Sequence, residues 1–168
     1  MCQVVRFPET AGGHSEKSTD PGGNTTIKVY DKVGRLAEVT EGNATTSYEY
    51  YDNGSRKSVV YPNSARENYT YYDDGLLKTL VNKNSGGTVI GSYSYTYDAA
   101  HNQTTKTDSK GVTRYEYDSL NRLSKVTEPG GKTTSYLYDK AGNRMQETVI
   151  ENSSSTTTIS TTTCGTRW

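Results

Sequence analysis

The residues of this 168-residue chain whose types and spacing could do chemistry are carboxylates. An aspartate follows a tyrosine six times, at Tyr30-Asp31, Tyr51-Asp52, Tyr72-Asp73, Tyr97-Asp98, Tyr117-Asp118 and Tyr138-Asp139. Such groups could act as a general acid and base, or collect around calcium. Catalysis needs a positioned base or a shaped acid pair, and neither accompanies these aspartates. Calcium needs several oxygen ligands together, and no loop of the chain concentrates them. The chemistry they suit is local: an aspartate at a strand end caps the turn and pairs with an arginine across it, as Asp31 could with Arg35 and Asp118 with Arg122.

The other candidates are weaker. His14 and His101 are far apart, with no second ligand at metal spacing and no nucleophile nearby; His101 reads as a turn residue. Cys2 and Cys164 sit at opposite ends without a CxxC pair, which reads as two free thiols. The Gly-Gly pairs at 12–13, 22–23, 86–87 and 130–131 precede no Gly-Lys-Ser/Thr, so they are not phosphate loops. The chain is therefore expected to hold no catalytic residue, cofactor or metal, and not to be an enzyme by itself.

The elements that place these aspartates follow from repetition. The Tyr-Asp pairs are spaced 21, 21, 25, 20 and 21 residues apart. More than the dipeptide recurs: PGGNTTIKVYDKVGR from Pro21 is echoed by PGGKTTSYLYDKAGN from Pro129, and YDKVGRLAEVT from Tyr30 by YDSLNRLSKVT from Tyr117. Tyrosines two apart, as at Tyr93, Tyr95 and Tyr97, give the period of a strand with rings on one face. After each Tyr-Asp comes a turn. Asn53-Gly54 and Asp74-Gly75 predict two-residue type I′ turns, whereas Lys32-Val33-Gly34 predicts a three-residue loop with Gly34 in the left-handed position. His101 and Asn121 fall at the equivalent place, and both types tolerate that conformation. Gly142 closes the sixth turn in the same way as Gly34. The three-residue loop then pairs Tyr30 with Leu36, Tyr117 with Leu123, Lys28 with Glu38, Asp31 with Arg35 and Asp118 with Arg122.

Composition agrees. Only 30% of residues are hydrophobic and mean hydropathy is −0.87, yet there are 15 tyrosines, whose rings can build a thin core. Net charge is zero, 19 basic against 19 acidic residues, so no basic field for nucleic acid exists. No apolar run approaches a membrane span, and residues 1–10 show no secretory signal pattern. Residues 1–18 form an unassigned flank, 19–150 hold six hairpins, and 151–168 are a Ser/Thr-rich tail, either a further degenerate strand pair or a disordered end, with a composition that leans toward disorder.

Tyr-Asp-x-x-Gly-Arg-Leu-x-x-Val-Thr at a period near 21 resembles the YD repeat of RHS proteins, which include bacterial polymorphic toxins, wall-associated proteins and teneurins. The resemblance spans about Asp20 to Ile150. It implies an all-β fold of repeated antiparallel hairpins in a long, meandering, curved sheet, a segment of a shell that encloses or displays a toxin or effector domain. The partners it implies are the remainder of that shell and its cargo, and the location is secreted or at the cell surface. Six repeats are far fewer than a closed shell needs, and no DPxGL-type motif of the core-associated region is visible, so no cleavage site is carried over. The alternative is carbohydrate binding, with exposed rows of tyrosine stacking on surface glycans. Ring exposure discriminates the two, and the scarcity of aliphatic residues favours burial of the rings.

Overall fold

The computed structural model describes residues 3–10, 13–151 and 154–159, and all of its regular elements are strands. The chain divides between Ser92 and Tyr93 into two compact units. The first holds β1 (Gln3–Thr10), β2 (Gly13–Thr19), β3 (Thr25–Tyr30), β4 (Leu36–Glu41), β5 (Ala44–Tyr50), β6 (Arg56–Val60), β7 (Arg66–Tyr71) and β8 (Leu77–Lys83). β9 (Val89–Tyr97) begins there and runs into the second unit, followed by β10 (Gln103–Asp108), β11 (Gly111–Tyr117), β12 (Leu123–Thr127), β13 (Thr133–Tyr138), β14 (Arg144–Glu151) and β15 (Ser154–Ile159). Within each unit every strand pairs antiparallel with the next, an all-β meander. All six Tyr-Asp pairs lie where one strand of a hairpin ends and its turn begins.

Among the described residues ten turns share one backbone pattern. In the first Tyr-Asp turn the Asp31 N–H donates to the Arg35 carbonyl (2.8 Å) and the Gly34 N–H donates back to the Asp31 carbonyl (3.0 Å). The residue fourth in each such turn has φ between 59° and 91°. It is glycine seven times; the others are Ser64, His101 and Asn121. The expected type I′ turns at Asn53-Gly54 and Asp74-Gly75 are not formed. Tyr51 bonds to Ser55 and Tyr72 to Leu76 in the same three-residue pattern. This turn needs positive φ at one residue, where Gly54 or Gly75 stands, while type I′ needs it at two. The doubled tyrosines explain the shift: Tyr51 and Tyr72 occupy the place that Asp31 holds in the first hairpin.

Beyond each of the six turns the register slips by one residue, a β-bulge. Tyr30 faces Leu36 and Tyr117 faces Leu123, as the sequence predicts. Lys28, however, faces Val39 and not Glu38, because the bulge consumes Ala37 and moves Glu38 opposite Val29. Lys28 finds Glu16 across β2–β3 instead. The bulge also explains the Leu-x-x-Val spacing. Residues three apart on a regular strand lie on opposite faces; the extra residue returns Leu36 and Val39, or Leu123 and Val126, to the face that carries the tyrosines.

Two stretches depart from the sequence expectation. Residues 3–10 and 13–19, in the flank without a readable pattern, form β1 and β2, and β2 pairs with β3 from Ser15↔Val29 to Thr19↔Thr25. In the tail, where composition leans toward disorder, the other alternative, a strand, is what forms: Ser154–Ile159 make β15 along β14. The β-branched threonines suit a strand, and the β14 edge offers unpaired backbone groups to it. Cys2, Cys164 and the last nine residues lie outside the described residues.

Burial is slight. Among the described residues only Val59 (3% exposed) and Ser58 (4%) are buried, and both lie on β6, which is paired on both sides. Replacing Gly75 (φ 85) by alanine should destabilise the chain by about 1–2 kcal/mol. No heavy atom lies within 4 Å of where that Cβ would stand, so the loss is conformational and not steric. Ser64→Gly, at the equivalent position (φ 64), should leave stability unchanged or raise it; urea unfolding of the two variants checks both.

Candidate functional site at the hairpin junctions

The aspartates are turn caps. Asp31 Oδ1 accepts the N–H groups of Val33 (3.0 Å) and Arg35 (2.8 Å), while Oδ2 accepts Arg35 Nε at 2.7 Å. Asp118 repeats this with Leu120 (2.9 Å), Arg122 N–H (3.0 Å) and Arg122 Nε (2.7 Å). In Asp98 and Asp139 the arginine is replaced by an asparagine amide, Asn102 at 3.0 Å and Asn143 at 2.9 Å. Asp20, outside any Tyr-Asp pair, caps its turn identically through Asn24. The signal that finds it is Asp followed four residues later by Asn or Arg, not the tyrosine before it. Asp52 and Asp73 are not equivalent: they stand one place later and exposed, and Asn53 and Asp74 accept the turn N–H groups there.

These bonds hold the capping carboxyls below the usual range. For Asp118 the Arg122 backbone N–H is the main cause; for Asp98 and Asp139 it is the amide side chain of Asn102 or Asn143. For Asp31 partial desolvation is the largest influence and pushes upward, but the N–H groups of Arg35 and Val33 and the Arg35 side chain together outweigh it.

The arginines join one hairpin to the next. Arg35 Nη1 donates to the carbonyl of Tyr51 (3.0 Å), its guanidinium lies 4.8 Å over the Tyr50 ring, and the Tyr50 hydroxyl donates back to the Leu36 carbonyl (2.8 Å). Arg122 makes the same three contacts, with the Asp139 carbonyl (3.1 Å), the Tyr138 ring (4.7 Å), and Tyr138 OH to the Leu123 carbonyl (2.8 Å). Each arginine is thus clamped by its own aspartate and laid across its neighbour's tyrosine. Where asparagine replaces arginine the link thins: Asn102 Nδ2 reaches Asn121 Oδ1 (3.0 Å), and Tyr117 OH reaches the Gln103 carbonyl (2.9 Å). Tyr51, in an aspartate's place, reaches forward instead, donating to the Tyr69 carbonyl (2.9 Å) with its ring edge-on to Tyr71. Tyr69 donates to Glu67, and burial, aided by that carboxylate, pushes its phenol up to about 12. Tyr30 is covered from the flank, where His14 stacks on it at 4.4 Å. The aspartate–arginine pairs are legible in the sequence; the forward contacts of the arginines are not, since nothing local specifies which ring lies beside them.

Among the described residues no group of three or more His, Cys, Asp or Glu could hold a metal ion. What this arrangement does is mechanical: it ties hairpin to hairpin. In a double-mutant cycle, Arg122→Ala and Tyr138→Leu should show a coupling of about 0.5–1 kcal/mol, the range of an exposed cation–ring contact. The depressed aspartates set a pH dependence. Their stabilisation is fully present above the unfolded value near pH 4 and is lost as pH falls through the lower folded values. The melting temperature of the native chain should fall as pH is lowered below about 4, and Asp118→Asn should flatten that fall; a Tm series across acid pH reads both.

Two stretches, residues 104–133 and 117–151, match the family described as RHS Repeat. No curated protein matches the sequence. Among solved structures, the TcdB2-TccC3-Cdc42 crystal structure is similar at 19% identity and a TM-score of 0.76, over 93% of this chain and 10% of that one. The Photorhabdus luminescens Tc holotoxin pore is similar at 19% identity and 0.76, over 93% of this chain and 9% of that one. The TcdB2-TccC3 crystal structure gives 19% identity and 0.75, with 93% and 10% covered. This chain therefore spans about a tenth of the chains it resembles, and at such identity the likeness is one of fold. Residues 104–151 thus carry the match to the RHS Repeat family, and the bulged hairpin they form recurs in the four Tyr-Asp hairpins before them.

Proposed function

We propose that this chain is a stretch of wall in a larger RHS/YD-repeat shell, secreted or delivered to the cell surface, whose interior encloses or displays a toxin or effector domain. The observation that carries the reading is the forward clamp. Arg35 and Arg122 each complete their own turn and also hold the backbone and ring of the following hairpin. A hairpin of this kind is finished by its neighbour, which is the logic of a repeat wall in which stability comes from successive interfaces. The partners on this reading are the rest of the shell and its cargo; the chain's own role is containment and is not catalytic.

Carbohydrate binding through tyrosine rows has less support. A sugar would stack on ring faces, yet cations already lie over six of them: Arg35 on Tyr50, Arg56 on Tyr48, Lys78 on Tyr72, Lys106 on Tyr93, Arg122 on Tyr138 and Arg144 on Tyr136. The other rings are half-buried, and Tyr61, the most open among the described tyrosines, is 38% exposed.

Extending the chain tests the wall reading. Duplicating residues 25–150 in tandem should raise the melting temperature over that of the chain itself and slow amide exchange at the junction strands. An unchanged melting temperature, with glycan-array binding that Tyr→Ala substitutions abolish, would point to a free-standing sugar binder.

A further inference from the structure

The first unit contains a pairing that works against its own stability. Arg66 on β7 and Lys83 on β8 are direct cross-strand partners, with Val60 of β6 opposite Arg66 on the other side. Like charges directly opposite one another repel. Among the described residues neither cation makes an ion pair or a side-chain hydrogen bond. The nearby carboxylates are engaged elsewhere: Glu67 takes the Tyr69 hydroxyl on the opposite face, and Glu49 takes Ser58 Oγ at 2.9 Å.

Both cations line an open cleft of about 400 Å³, with Ser64 and Ser85 on its wall. Ser64 is itself out of the ordinary. It holds the left-handed position of its turn (φ 64°), where seven of the ten equivalent residues are glycine and the other two are histidine and asparagine. Serine is less suited to that conformation than any of these. A strained residue that contributes to a cleft lined by two unneutralised cations motivates a functional reading.

We propose that this cleft binds a tetrahedral oxyanion, a phosphate or sulfate group, between Arg66 and Lys83. The guanidinium offers a planar fork for two oxygens and the ammonium a point charge for a third, while the serine hydroxyls can donate to the remainder. Binding relieves the repulsion between the two cations. The inference does not depend on the wall reading: the site belongs to one unit and stands or falls by itself.

The test is an amide-shift titration of the full chain with inorganic phosphate, sulfate and glucose 6-phosphate, against sodium chloride and glucose at matched ionic strength. Saturable shifts confined to residues 64–66 and 83–87 are expected with the oxyanions and not with chloride or glucose. Lys83→Gln should weaken phosphate binding about tenfold. Without phosphate the same variant should melt no lower than the native chain, since it removes a repulsion; this separates lost binding from lost fold. Tighter binding of glucose 6-phosphate than of inorganic phosphate would mark the group as one carried on a sugar, and equal affinity would mark the free ion. Shifts spread over the surface lysines, or equal shifts with chloride, would mean an adventitious ion only and overturn the proposal, as would phosphate binding unchanged in Lys83→Gln.

Discussion

Lateral attachment is the constraint on which this structure depends. Among the described residues only Val59 and Ser58 are buried, so there is almost no packed interior to resist unfolding. Ladder hydrogen bonds alone contribute little net stability, because water competes for the same groups. Each hairpin must therefore be fastened to the next along the sheet. The aspartate–arginine–tyrosine clamp does this where all its parts are present: a charge-assisted bond fixes the guanidinium, which then covers the following ring and caps the following turn.

The turn and the bulge follow from the same need. For a clamp to repeat, the arginine must leave each turn in one orientation, so each turn must have one geometry. A single left-handed residue followed by a one-residue bulge supplies it and accepts glycine, histidine, asparagine or serine at the critical place. The bulge also gathers both aliphatic residues of a repeat onto the ring face, so that Leu123 and Val126 lie opposite Tyr117 and Tyr115. Few apolar residues then serve as many contacts as possible, which is how a chain with 30% hydrophobic content forms ordered sheet at all.

Variation between repeats concerns the clamp and spares the backbone. Asparagine in place of arginine keeps the cap and gives up the ring contact, as at Asn102 and Asn143. Doubling the tyrosine, as at Tyr50-Tyr51, exchanges the carboxylate cap for a hydroxyl that reaches the Tyr69 carbonyl two strands on. The turn bonds are the same in every case. Such latitude explains why Asp52 and Asp73, identical to the others as letters, do different work.

Local chemistry made much of this legible from sequence. Period-two tyrosines, turn residues with positive φ and the spacing of Asp31 to Arg35 identify the hairpins, their turns and the capping pairs, because all of these depend on residues within a few positions of one another. What was not legible depended on partners distant in sequence. The flank's strands have no pattern of their own and exist because β3 offers a register in which Glu16 meets Lys28. The tail strand β15 is threonine laid along an open edge. The bulge that separates Lys28 from Glu38 shifts a register that counting residues alone places one position away. The forward reach of Arg35 and Arg122 required knowing which ring stands beside them, and only the stacking of strand on strand in the tertiary structure decides that.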